Sequence, residues 1–229
     1  MNYHGLVRSL DLPAGWKPPT ELEYDDIRAT AISRAHLHND VRGINASIDL
    51  IQRTRGGGWP TEPVSADFNY VDLVWHELEF REGYSFTYAV YDSRGQYLGC
   101  CYLYPMGRRT PLTEDLLTCD VDVSWWVTPD AYEHGYYTKL YAALRHWIET
   151  AFPFTNAYYS NTEIPGLGFP SYRGHIALKE EGRWERHAGS STPISGRARS
   201  GWSGRPVSRS RRWPGIWGST KARWATGST

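Results

Sequence analysis

The sequence predicts one α/β domain, a mixed sheet with helices on both faces, followed by a tail of different character. Three observations carry this expectation. A hairpin signal over 85–104 leads into a strand, a helix and a further strand, the order of a β-α-β crossover. Apolar residues at helical spacings of three and four precede that hairpin. From Ala188 onward all periodicity stops.

The elements follow in chain order. Residues 1–26 hold Pro13, Pro18 and Pro19 and read as an irregular lead-in. A first strand spans 27–33. Asn39 is placed to cap a helix whose stripe is Val41, Ile44, Ile48 and Ile51, and the glycines 56–58 with Pro60 end it. Asn69 is placed to cap a second helix with Val71, Val74 and Leu78 on one face. Residues 85–91 and 97–104 favour extended structure around the turn Asp92-Ser93-Arg94-Gly95. A strand over 119–127 puts Val121, Val123, Trp125 and Val127 on one face and Asp120, Asp122, Ser124 and Trp126 on the other. Pro129-Asp130 breaks it, and a helix follows with Leu140, Leu144, Ile148 and Phe152 four residues apart. A short aromatic strand over 156–161 and a last helix over 171–181, ended by Gly182, complete a domain spanning 27–187.

Composition bounds the function. With 229 residues, 40% hydrophobic and 14% aromatic, the chain can bury a core without staples. Its three cysteines make no disulfide framework, which suits a reducing cytoplasm, and Cys100 and Cys101 point to opposite strand faces as packing residues. No apolar run reaches the roughly 18 residues of a membrane span, and the N-terminus lacks the apolar segment of a secretory signal. The net charge of zero is uneven. Residues 188–229 carry seven Arg and one Lys with no acid, leaving 17 basic against 25 acidic side chains before them. This tail, with Trp202, Trp213, Trp217 and Trp224, is expected to be disordered. The functional reading of the same tail is nucleic-acid or acidic-surface binding through Arg charge and Trp stacking, set against a tail with no such role, which the composition favours.

The chemistry-bearing stretch is 121–140, where a strand meets a helix through a turn holding Gly135. Several N–H groups at such a junction lack intrahelical acceptors and, with the helix dipole behind them, form an anion site. Many glycine turns of this kind bind nothing, so both readings stand at this level. Asp122-Val123-Ser124-Trp125-Trp126-Val127-Thr128-Pro129, then His134-Gly135-Tyr136 and Thr138, resemble the acetyl-coenzyme A motif of the GNAT N-acetyltransferases, nearest the ribosomal-protein alanine acetyltransferase branch. The resemblance spans roughly 27–186 and implies a mostly antiparallel central sheet closed by a C-terminal hairpin. It implies acetyl-coenzyme A as co-substrate, no metal, and an amine of a small molecule or a protein N-terminus as acceptor. The backbone of Glu133, His134, Gly135, Tyr136, Tyr137 and Thr138 would hold the pyrophosphate, and that of Trp126 and Val127 the pantetheine arm.

Glu133 stands where the family usually has glycine, and Tyr137 where it has glycine or alanine, so the Tyr137 side chain must swing clear of the phosphates. Asp122, with Asp120 on the same face, is the candidate base; a solvated strand face is the alternative. The family's acid is a tyrosine at the position of Leu178, leaving Tyr159 and Tyr172 as substitutes by proximity or as packing aromatics. A noncatalytic domain of the same fold is the competing reading. The pairs His36/His38 and His76/Glu77 lack further ligands at metal spacing, and no Gly-x-Ser-x-Gly elbow or Walker loop occurs. Nothing after Ala188 supplies the closing hairpin, so the tail is expected to be a foreign or out-of-frame replacement for it.

Overall fold

The computed structural model describes residues 8–166. Two strands, β1 (Glu21–Tyr24) and β2 (Ile27–Ala31), form a tight hairpin. Three helices follow: α1 (Leu37–Ala46), α2 (Ile48–Thr54) and α3 (Ala66–Glu82). Next come β3 (Phe86–Asp92), β4 (Tyr97–Tyr104) and β5 (Val121–Val127), then α4 (Pro129–Glu133), α5 (Tyr136–Ala151) and β6 (Ala157–Tyr159). The six strands lie in one sheet in chain order. All neighbours are antiparallel except β5 and β6, which run parallel because α4 and α5 carry the chain back across the sheet. This is the mixed, mostly antiparallel sheet expected from the sequence.

β5 organises the molecule, since all seven of its residues are buried. Val121, Val123, Trp125 and Val127 face α5, whose inward stripe is Tyr137, Leu140, Ala143, Leu144, Trp147 and Ile148. The Trp147 indole N–H donates to the Glu23 carbonyl at 2.8 Å and ties α5 to β1. On the other face Trp126 joins Cys100, Tyr102 and Ala89 against Ile44, Ile51 and Leu73 of α1–α3. Helix α1 approaches closely there because residue 43 is glycine: a Cβ would lie 2.7 Å from the Tyr97 ring and 3.3 Å from that of Trp126. Cys100 and Cys101 fall in the two different cores, as alternation requires.

Several sequence expectations need correction. The lead-in contains β1, whose only buried side chain, Leu22, lies between the glutamates 21 and 23; four residues give too short a pattern to register. Asn39 caps nothing. A 3-10 turn over Arg34–His36 precedes α1, and the stripe Val41–Ile51 is cut at Ser47, whose hydroxyl donates back to the Gly43 carbonyl at 2.6 Å. Helix α3 starts earlier than expected, capped by the Ser65 hydroxyl accepting from the Phe68 N–H at 3.1 Å. It buries Asn69, Leu73, His76, Glu79 and Phe80, while Val71 and Val74 are exposed. The expected strand over 27–33 stops at Ala31, that over 119–127 starts at Val121, and that over 156–161 shortens to Ala157–Tyr159. The last helix over 171–181, Tyr172, Leu178 and the basic tail lie outside the described residues.

Candidate active site

β5 and β6 pair only over Val121–Val123 against Ala157–Tyr159, and beyond that rung they part. The Ser160 N–H still reaches the Val123 carbonyl at 2.9 Å. At Trp125 the gap is spanned by a side chain. The Trp125 N–H donates to Asn161 Oδ1 at 3.1 Å, and Asn161 Nδ2 donates to the Trp125 carbonyl at 2.9 Å. The carboxamide thus stands where a partner strand's peptide would. Since strand N–H and C=O groups alternate sides, Val127 turns its own pair toward the same opening, whereas Trp126, opposite Cys100, turns toward β4. Of the two backbones expected to hold a pantetheine arm, Val127 faces the gap and Trp126 does not.

At the mouth of this gap lies the start of α5. Gly135 takes φ 81 as its cap residue, a left-handed backbone that glycine adopts without strain. The His134 and Gly135 N–H groups are used locally, on the Asp130 and Tyr132 carbonyls. Those of Tyr136, Tyr137 and Thr138 open a 16-residue helix and have no intrahelical acceptor. Gly135, Tyr137 and Thr138 border an open cavity of about 310 Å³, lined also by Tyr132 and 163–166. The Tyr137 side chain packs into the core beneath β5. It is buried, its hydroxyl donates to the Glu163 carbonyl and accepts from Asn161 Nδ2 at 2.7 Å, and burial pushes that phenol up. Glu133 and His134 are exposed at the rim. Glu163 also lines the cavity; Arg53 is 3.9 Å from its carboxylate and the Tyr132 hydroxyl donates to it.

The other face of β5 carries a buried polar row. Asp122 is fully buried and lies in register with Tyr104 of β4 and Tyr158 of β6. Its Oδ2 accepts from the Thr110 hydroxyl at 2.6 Å and the Thr110 N–H at 3.2 Å, while Oδ1 is buried with no partner. Burial pushes the Tyr104 phenol up to about 12. On the next row Ser124 faces Tyr102, and the Arg55 Nε–H donates to the Ser124 hydroxyl at 3.2 Å. The guanidinium lies 4.2 Å over the Tyr102 ring. Arg109 donates to the Ser160 carbonyl and hydroxyl and to the carbonyls of Arg55 and Gly56, lacing α2's end to β6.

This geometry revises the candidate set. Asp122 does not lie on a solvated strand face. Asp120 lies outside β5 and is exposed; its Oδ2 accepts from the Thr155 N–H and hydroxyl and the Asn156 N–H at 2.7–2.9 Å, so it holds the turn into β6. Tyr159 is on the opposite face from Asp122, packed edge-on to Trp125 and Tyr141, and burial pushes its phenol up. Its neighbour Tyr158 shares the Asp122 row. Sequence reasoning does not find Arg55, Arg109 and Asn161; the only signal is position, Arg55 and Asn161 lying just past the ends of α2 and β6 and Arg109 in the loop after β4. Among the described residues no group of three or more His, Cys, Asp or Glu is placed to hold a metal, and no helix is long and apolar enough to cross a membrane.

No family model matches the chain, and no curated protein does. Among solved structures it is similar to a ribosomal-protein-S5-alanine acetyltransferase from Vibrio fischeri, at TM-score 0.48 and 8% identity over 62% of this chain and 73% of that one. It is also similar to a ribosomal alpha-N-protein acetyltransferase in complex with coenzyme A, at 0.45 and 12% over 62% and 72%. A third is a spermidine N-acetyltransferase chimera from Vibrio cholerae, at 0.41 and 13% over 59% and 70%.

Proposed function

We propose that the protein is an N-acetyltransferase that moves an acetyl group from acetyl-coenzyme A to a primary amine of a small molecule or a protein N-terminus. The observation that carries this is the parting of β5 from β6 beside the start of α5, with a buried carboxylate on the neighbouring strand face. Tyr136, Tyr137 and Thr138 would offer N–H groups to a pyrophosphate, helped by the helix dipole. Val127 would pair with an extended amide arm entering the gap, as an added strand does. The bound thioester would supply the acyl carbon.

Asp122 would act as base. Thr110 fixes one oxygen, and Oδ1 would take the proton released as the amine nitrogen bonds to the acyl carbon. As the carbon–sulfur bond breaks, Tyr158 on the same row would return a proton to the sulfur. The test is Asp122→Asn. Turnover should fall by about 10²-fold or more, with acetyl-coenzyme A affinity unchanged within about twofold. Equal turnover in that variant would remove Asp122 from the mechanism.

Two observations favour a noncatalytic domain of the same fold. Asn161 occupies the Trp125 backbone inside the gap, and an acidic residue, Glu163, lines the cavity where a pyrophosphate would lie. Cofactor binding without turnover on any primary amine would favour that reading.

A further inference from the structure

Arg55 is a buried cation of the polar face with no ion-pair partner among the described residues. It is 8% exposed. Its Nε–H is spent on Ser124 and its plane rests on Tyr102, but the ion pairs among the described residues do not include it. Arg109 is different, because its terminal nitrogens are spent on four oxygens, one of them the Arg55 carbonyl. Arg109 therefore works as a brace, and what it braces is the backbone that presents Arg55. The two cations disturb each other: burial and then the Arg55 charge pull Arg109 down to about 10. A structural cation needs no second cation beside it, and burying one without a counter-charge is costly.

The acid on this face is Asp122, one row further along β5, with Oδ1 buried and unpartnered. The face thus holds an acceptor without a donor and, one row away, a guanidinium fork without an anion. Asp122 and Ser124, the hydroxyl that takes the Arg55 Nε–H, are two residues apart on the strand, about 7 Å along it. A short amine carrying a carboxylate offers one group to each, through hydrogen bonds of about 3 Å.

We propose that Arg55 is the carboxylate-recognising residue of the acceptor site, and that the amine taken by this protein is a short amino acid. Its amine meets Asp122 Oδ1 and its carboxylate meets the Arg55 fork. Arg55 is a binding residue, and Arg109 positions it. The proposal rests on the acetyl-transfer reading for its chemistry, but amino-acid binding at this face can be measured without transfer.

The experiment uses the full chain and two matched pairs, glycine with glycinamide and β-alanine with β-alaninamide. Each is titrated by ligand-observed NMR without cofactor and offered as acceptor with acetyl-coenzyme A. The expected result is a carboxylate-over-amide preference of about tenfold or more in both readouts, the scale of one charge-assisted contact. Arg55→Met, which keeps an apolar side chain of similar length against Tyr102, should bring that ratio to about one, and Arg55→Lys should restore part of it. Carboxylate-selective, Arg55-dependent binding without turnover would uphold this site and sink the transferase reading. Turnover on amines with equal rates for both members of each pair would uphold the transferase and overturn the proposal. A loss in Arg55→Met equal for carboxylate and amide would make Arg55 a packing residue and also overturn it.

Discussion

Asn161 holds the parted strands together through one carboxamide, so its removal has a calculable consequence. In Asn161→Ala the Trp125 N–H and C=O lose their only partners across the gap, at a residue that is fully buried, and the Tyr137 hydroxyl loses the donor at 2.7 Å. The phenol keeps its own acceptor on Glu163 and so contributes little to the loss. A buried polar group left unsatisfied costs about 1–3 kcal/mol, so two groups give roughly 2–6 kcal/mol. With a urea slope of about 2 kcal/mol/M, the unfolding midpoint should drop by about 1–3 M. Asn161→Asp is the sharper control. It keeps an acceptor for the Trp125 N–H but turns a carboxylate oxygen toward the Trp125 carbonyl, and it should lose at least as much stability. Equilibrium urea unfolding checks both variants. A drop below about 0.3 M in either would refute the reasoning, since the Trp125 backbone would then have another way to be satisfied.

Two further outcomes follow from the corrections to the site. Asp120→Ala should lose about 1 kcal/mol of stability from the turn before β6, comparable to losing a helix cap, while turnover per folded molecule stays unchanged; a specific loss of turnover would return Asp120 to the mechanism. At Asp92, desolvation alone would raise the carboxyl, but the Gln96 N–H at 2.8 Å, and the Arg94 side chain and N–H, hold it below the usual carboxylate range. A carboxyl lowered by folding binds fewer protons folded than unfolded. Its contribution is therefore full above the unfolded value near pH 4 and lost as pH falls through the folded value. Asp92→Asn should cost about 1–2 kcal/mol at pH 7 and progressively less below about pH 4. Denaturation midpoints at pH 3, 5 and 7 check this; a gap between variant and parent that does not change with pH would contradict it.

The parts of the fold that were legible in the sequence are those where burial follows hydropathy. Val121, Val123, Trp125 and Val127 alternate so regularly that β5 could be oriented from the string alone, and Leu140, Leu144 and Ile148 did the same for α5. The face of α3 was misread for the opposite reason. Asn69, His76 and Glu79 look like surface residues until their partners are known: Asn69 donates to Asp40 at 2.8 Å, and Glu79 accepts from Ser85, Trp75 and Arg108 at 2.7 Å. Those partners are spread along the chain, and no local pattern announces them.

The same holds at the site. Asp122 and Gly135 could be singled out because they fall in a readable strand–helix junction. The satisfaction of Trp125 by Asn161, 36 residues away, could not. Arg55 sits between a helix and three glycines, a place where an arginine is ordinarily solvated, and only the fold brings it over Tyr102 and Ser124. Tyr158 and Tyr159 differ by one residue and point to opposite faces. Proximity in sequence therefore chose Tyr159, and register chose its neighbour.

The most direct measurement is a calorimetric titration of the full chain with acetyl-coenzyme A. The expected result is one site per chain with Kd between about 1 μM and 1 mM, the usual range of enzyme substrate affinities, weakened when Gly135 is replaced by valine at its positive φ. No binding at near-millimolar cofactor would contradict the acyl-transfer reading of the β5–β6 gap.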